Sequence, residues 1–260
     1  MDNILTQIIA TKAEEVAAAQ QAMPLAEIKA ACADLAATRS LKASLLSKPG
    51  GIIAEFKRRS PSKGWIKQQA QIADIIPQYT AAGAAGLSIL TDHHYFGGSL
   101  NDVLAARPLT TLPILRKEFV VDAYQLYEAR LAGADACLLI AAAIGAERCQ
   151  ELADVAHHIG LEVILEIHSE EELTAYSPDV DIIGVNNRNL KVFKTDPAQS
   201  ERLFSHLPSA ALPISESGLL QSETARHLQQ VGYKGFLVGE AFMKTEMPGE
   251  TLSQYIKALS

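Results

Sequence analysis

Eight short apolar runs alternate with eight amphipathic stretches along the chain. That rhythm, kept over about 210 residues, predicts a closed (β/α)8 barrel, an α/β fold. The runs lie at 51–57, 86–91, 112–116, 135–141, 161–167, 180–186, 211–215 and 235–239. They are apolar on both faces, as strands of a helix-covered parallel sheet are. Residues 1–48 differ in texture and predict an N-terminal helical extension. The expected organisation is one domain over residues 1–260, with the extension at 1–48 and the barrel at 49–260. A doubly wound open sheet is the alternative, though it seldom needs so many uninterrupted units.

In the extension, Ile4, Leu5, Ile8, Ile9 and Val16 recur at helix spacing beside Lys12, Glu14 and Glu15. A second helix can begin after Pro24, through Leu25, Ile28, Ala31 and Leu35. A third covers Leu41, Leu45 and Leu46 before the Pro49-Gly50-Gly51 break. The first strand opens the stretch IIAEFKRRSPSKG at 52–64 and sets Glu55 and Lys57 two residues apart. Both side chains then share one face, while Ala54 and Phe56 take the other. A carboxylate and an ammonium pointing inward from the end of a buried strand are costly unless they pair or do chemistry. The run from Arg58 to Gly64 is a cationic loop by its Pro and Gly, suited to anions. Helices are expected at 70–83, 100–106, 122–132, 146–159, 170–176, 197–206, 221–231 and 249–258. Gly83, Gly133, Gly160 and Gly232 close several of them.

Composition narrows the function classes. A chain of 260 residues with 48% hydrophobic content can bury a substantial core. A formal net charge of −7 argues against nucleic acid as the main partner. No apolar run is long enough to span a membrane, and Met1-Asp2-Asn3 lacks the charged-then-apolar layout of a signal peptide. A cytoplasmic protein without membrane partners is expected. Cys32, Cys137 and Cys149 have no CxxC spacing, so they read as reduced thiols rather than a disulfide framework or zinc site.

In such barrels the active site lies at the C-terminal ends of the strands. The first strand ends in Glu55 and Lys57, the second in Thr91-Asp92, and the third in Arg116-Lys117-Glu118. The fourth ends in plain Ala141-Ala142-Ala143, the fifth in Glu166, and the sixth in Asn186-Asn187-Arg188. The seventh ends in Glu216-Ser217-Gly218 and the eighth in Gly239-Glu240. Any one of these could be a solvated surface charge. Their gathering at the ends of apolar strands, arginine included, predicts a shared mouth. Ser217-Gly218 and Gly239, each expected to open a helix, would free backbone N–H groups for an anion, with Arg188 as a bidentate partner.

The motifs IAEFKRRSPS (53–62), ILRKEF (114–119), LEIH (165–168), GVNNRNL (184–190) and SESG (215–218), with ILTQIIATKAEEV at the start, resemble those of the indole-3-glycerol phosphate synthases. The resemblance covers essentially the whole chain and implies a lyase of tryptophan biosynthesis. Its reaction would close the ring of 1-(2-carboxyphenylamino)-1-deoxyribulose 5-phosphate, losing CO2 and water, to give indole-3-glycerol phosphate. By motif, Lys117 would be the general acid at the ketone and Glu166 the base. Lys57 would meet the substrate carboxylate and serve as acid in the dehydration, while Glu55, Asn186 and Glu216 position the intermediate. Ser60, Arg188, Ser217, Gly218 and Gly239 would contact the phosphate. A substrate with a phosphate and a carboxylate also suits a cationic mouth on an acidic protein.

The chain departs from the family pattern where Glu240 follows Gly239 at the eighth strand, in place of the common Gly-Ser. Repulsion of the phosphate implies that only the backbone of Glu240 faces it, with the carboxylate turned toward a cation or solvent. The second-strand loop carries an unusual pair, His93 and His94, and with His168 these invite a metal reading. Their spacing does not favour it, and this chemistry needs neither metal nor cofactor. A phosphorylated small molecule is the expected partner. Oligomeric state is not fixed by the sequence, and a monomer is compatible with it. A phosphoribosylanthranilate isomerase would want a cysteine at the end of the first strand, where none stands. A barrel that only binds a phosphorylated metabolite would not need both Lys117 and Glu166.

Overall fold

Three helices precede the sheet: α1 (Ile4–Ala22), α2 (Leu25–Cys32) and α3 (Leu41–Ser47). The computed structural model describes residues 4–188 and 194–260. Met1-Asp2-Asn3, and Asn189 and Leu190 of the GVNNRNL motif, lie outside them. On α1 the stripe Leu5, Ile8, Lys12 and Val16 is buried. Val16 and Ile28 of α2 pack against Tyr124 and Tyr127. The Ser40 side chain caps α3 by accepting from Ala43 N–H, which satisfies one of the helix's free donors. Leu46 faces out, 62% exposed, whereas Leu41 and Leu45 are buried among the barrel's inward residues.

The eight strands are β1 (Ile52–Phe56), β2 (Gly86–Leu90), β3 (Ile114–Lys117) and β4 (Ala136–Ile140), then β5 (Glu162–Ile167), β6 (Ile182–Asn186), β7 (Leu212–Glu216) and β8 (Gly235–Val238). All pair in parallel in chain order. Ile53 of β1 stands opposite both Gly86 of β2 and Leu237 of β8, which closes the barrel. The two-residue period sorts the layers. Ile52, Ala54 and Phe56 join the core between sheet and helices. Ile53 joins Leu115, Ile164, Ile214 and Leu237 inside, with Leu41 and Leu45 of α3 packed among them.

The outer ring is α4 (Ile72–Ala81), α5 (Leu100–Ala106), α6 (Ala123–Leu131), α7 (Ala141–His158), α8 (Ala198–Leu203), α9 (Ser222–Val231), α10 (Glu240–Met243) and α11 (Pro248–Leu259). Asp122 and Gln125 form a capping box on α6. Where a helix was expected at 170–176 there is only a 3-10 turn, Glu171–Ala175. Pro178 restricts the backbone just beyond it and leaves no room to propagate. Ala141 to Ala143 do not extend β4 but begin α7 directly, and Gly145, at φ 77°, breaks that helix after its first turn. Among the elements with no counterpart in the sequence reading, two lie beside the mouth. The loop after β1 folds into a small antiparallel hairpin, Arg59–Ser60 with Gly64–Trp65, and the four-residue α10 follows β8.

Candidate active site

Every residue singled out above as catalytic or anion-binding lines one cavity of about 320 Å³ at the C-terminal mouth of the barrel. Lys117 stands at its centre because β3 turns Leu115 and Lys117 to the same side. Its ammonium donates to Glu166 Oε2 at 2.8 Å and to Glu216 Oε2 at 2.6 Å, so strands 3, 5 and 7 meet on one nitrogen. Asn186 Nδ2 donates to the other oxygen of Glu166 at 2.9 Å. Lys57 pairs with Glu55 across the in-facing side of β1. Burial alone would lower the Lys117 pKa, but Glu166, Glu216 and Glu55 outweigh it and hold the group above the ordinary lysine value. Burial raises Glu166, yet Lys117 and His168 pull it below the usual carboxylate range. Glu216 is raised, first by burial and then by the charge of Glu166. One of the two carboxylates thus stays ionised while the other is ready to take a proton.

Two glycines make room for these carboxylates. A Cβ at Gly184 of β6 would collide with Glu216 Oε1, and one at Gly239 would collide with the Glu55 carboxylate. Gly239 therefore has a packing task beside any role at an anion. Ser217 is the one described non-glycine residue with positive φ (68°), and Gly218 follows at 75°. Such backbone costs of order 1–3 kcal/mol for a residue with a side chain and collects at functional sites. This turn does not open a helix as expected, because α9 starts only at Ser222. Gly239 does cap a helix, though α10 is a single turn. Arg188 Nη1 donates to Ser62 Oγ at 2.6 Å, which ties the β6 loop to the cationic loop after β1. The Glu240 carboxylate lies 4.0 Å from Lys63 Nζ.

The mouth is smaller than the strand-end inventory implied. Arg116 faces outward, where it donates to Gln125 O at 2.6 Å and to Glu128 at 3.2 Å. Alternation places it opposite Lys117. Asn187 is buried with Ser200 and Ser215 beneath the mouth. His93 and His94 are exposed, whereas His168 is half-buried beside Glu166 and Glu172, each 3.5 Å from its ring. Burial would lower the His168 pKa, but Glu172 and Glu166 hold it above the ordinary value. Among the described residues no group of three His, Cys, Asp or Glu side chains is placed to hold a metal.

Sequence reasoning missed much of the cavity's apolar lining. Leu5 and Ile8 of α1, Phe96, Phe119, Leu138 and Ile140 belong to it, and the two phenyl rings lie 5.9 Å apart. It also missed Lys12, whose ammonium reaches Asp92 and Glu118 from a fully buried position. The signal was there in the buried stripe of α1, since Lys12 falls between Ile8 and Val16 at i+4 spacing.

A closed (β/α)8 barrel with an ammonium held between carboxylates at its C-terminal mouth defines a barrel enzyme of acid–base chemistry. A model of the family described as "Indole-3-glycerol phosphate synthase" matches residues 5–255, and the chain belongs to that family. It is accordingly a carboxy-lyase. Relatives named indole-3-glycerol phosphate synthase include one from Bacteroides thetaiotaomicron, 54% identical with all of both chains covered. Others come from Chromobacterium violaceum (43%, all of both chains) and Burkholderia ambifaria (42%, 98% of this chain and 99% of the relative). Among solved structures, a thiamine phosphate pyrophosphorylase from Pyrococcus furiosus superposes with a TM-score of 0.63 at 13% identity, covering 85% of this chain and 98% of its own. A mutant tryptophan synthase α-subunit from the same organism gives 0.58 at 16%, covering 82% and 98%. At those identities they speak for the barrel alone. Among the described residues no helix is long and apolar enough to cross a membrane.

Proposed function

We propose that the chain closes the ring of 1-(2-carboxyphenylamino)-1-deoxyribulose 5-phosphate to give indole-3-glycerol phosphate, with Lys117 as general acid and Glu166 as base. The observation that carries the roles is the Lys117 ammonium bonded to Glu166 and Glu216 in one cavity. Held above its ordinary pKa, Lys117 is charged at neutral pH and gives its proton only to an oxygen that gains negative charge. The ketone oxygen does so as the ring carbon attacks. Loss of CO2 then restores aromaticity, and dehydration needs an acid at the departing hydroxyl and a base at carbon. Lys57 serves as that acid and Glu166, kept ionised, as that base.

The cavity's two sides suit the two ends of the substrate. Phe96, Phe119, Leu5 and Ile8 accept the aromatic ring, while Arg188, Ser60 and the strained Ser217-Gly218 turn face the phosphate. Glu55, Asn186 and Glu216 hold the intermediate between them. The same reading makes the protein a cytoplasmic one in which extension and barrel form one unit, needing no cofactor, and it is compatible with a monomer. Indole fluorescence on mixing protein with substrate is the test. Glu166→Gln is expected to cut turnover by roughly 10²–10⁴-fold while substrate still binds. Absence of product with the wild-type protein, or a Glu166→Gln variant above about a tenth of wild-type turnover, overturns the reading.

A further inference from the structure

Among the described cations that the mechanism leaves unused, the ammonium of Lys12 is the most enclosed. Its residue is 2% exposed and sits on a stripe otherwise made of Leu5, Ile8 and Val16. Nζ lies 2.7 Å from Asp92 Oδ2, 3.3 Å from Glu118 Oε1 and 2.7 Å from Glu15 Oε2. Burial opposes its charge, but Glu118, Asp92 and Glu15 hold the pKa above the ordinary lysine value. Lys12 does not line the cavity, so it touches no reacting atom.

Its two buried partners each hold a loop that carries a cavity ring. Asp92 Oδ1 accepts from Tyr95 N at 2.6 Å and from Phe96 N at 3.0 Å. Glu118 Oε1 accepts from Phe119 N at 2.9 Å, and Oε2 accepts from the Thr91 hydroxyl at 2.7 Å. Among the described residues Asp92 Oδ2 has no hydrogen-bond partner besides this ammonium. Glu118 also directly follows Lys117 in the chain. From the other side, α1 brings Leu5 and Ile8 into the same wall, and the Thr11 hydroxyl meets Tyr95 OH at 3.1 Å.

We propose that Lys12 is a positioning residue of the reaction, the tie by which the N-terminal helix sets the apolar wall that receives the substrate's aromatic ring. Without it, two adjacent buried carboxylates repel and must find protons or water. The loops bearing Phe96 and Phe119 then shift, and α1 loses its charged tie to them, keeping the Thr11–Tyr95 contact. The wall is disturbed while the phosphate side, built from the ends of strands 6 to 8 and the loop after β1, is left in place.

This rests on the ring-closing function, and the experiment separates the two. Lys12→Met in the full chain keeps the stem and removes the charge. Michaelis constants for the substrate, and inhibition constants for inorganic phosphate as a competitor, are measured well below the melting temperature. The substrate's Michaelis constant is expected to rise at least about tenfold, as for a lost methylene's worth of apolar contact. The phosphate constant stays within about twofold, and Lys12→Arg restores much of the substrate's value. A general loss of stability lowers the melting temperature without splitting the two constants. If Lys12→Met fails to fold, Glu118→Gln, which keeps shape and removes one charge, is expected to produce the same split. An unchanged substrate constant, or equal changes in both, overturns the proposal. A wild-type protein that makes no indole product overturns the function instead.

Discussion

Replacing Lys117 by methionine tests the centre of the site and its electrostatics together. A lysine at a strand end contributes little to an apolar core, and that alone predicts an intact fold. The structure changes the expectation. Glu166 and Glu216 are both buried and both bonded to the Lys117 nitrogen, so its removal leaves two carboxylates facing each other. At a separation of roughly 5 Å and an effective dielectric near 20, their repulsion is about 3 kcal/mol. The relief is a proton, and Glu216 takes it, because its pKa is already raised and Lys117 was the group pulling it down. A carboxylate raised in the folded state binds more protons folded than unfolded. Stability therefore falls as pH rises through the window from the ordinary carboxylate value of 4.5 toward the raised one. Lys117→Met is expected to melt near the wild type around pH 5 and clearly below it at pH 8, with a steeper pH dependence than the wild type. Turnover should drop by roughly 10²–10⁴-fold at every pH. Thermal melts from pH 5 to 8 and the indole assay measure both. Turnover above about a tenth of wild type sinks the acid assignment. A melting temperature equal to wild type at pH 8 sinks the charge argument.

The remaining predictions concern other parts of the molecule. Glu240→Ser should change the substrate's Michaelis constant only a few-fold, since the carboxylate already lies 4.0 Å from Lys63; tenfold or greater tightening would show that it faces the phosphate. Leu45→Ala should cost about 2–5 kcal/mol in denaturant unfolding, because Leu45 is buried against Gly235 and Ile53 at the foot of the barrel, yet leave the Michaelis constant unchanged. An equal loss of stability and substrate affinity would show that the foot and the mouth are coupled. EDTA-treated protein should keep full activity, and restoration by zinc or magnesium of activity lost on chelation would contradict the acid–base reading.

The chain's apolar rhythm, its terminating glycines and the two-residue alternation at Glu55 and Lys57 carried the barrel and the identity of the in-facing residues in the sequence itself. That information is local. A strand's period is two and a helix's is 3.6, so each element declares its buried face within a few residues. The same alternation could have excluded Arg116 from the mouth. What the sequence could not supply are the meetings between distant elements. Lys117 and Glu216 stand 99 residues apart, and only closure of the sheet brings them to 2.6 Å. The clearance that Gly239 gives Glu55 and Gly184 gives Glu216 depends on packing across neighbouring strands. So does the left-handed turn at Ser217, which no local preference of serine requires. Lys12 belongs to the same class. Its place on an apolar stripe was written in α1, but Asp92 and Glu118 become its partners only because the extension packs over the mouth. Pairing charges across the barrel is a property of the closed fold, since burial and proximity, rather than residue type, decide which ammonium and which carboxylate hold a proton.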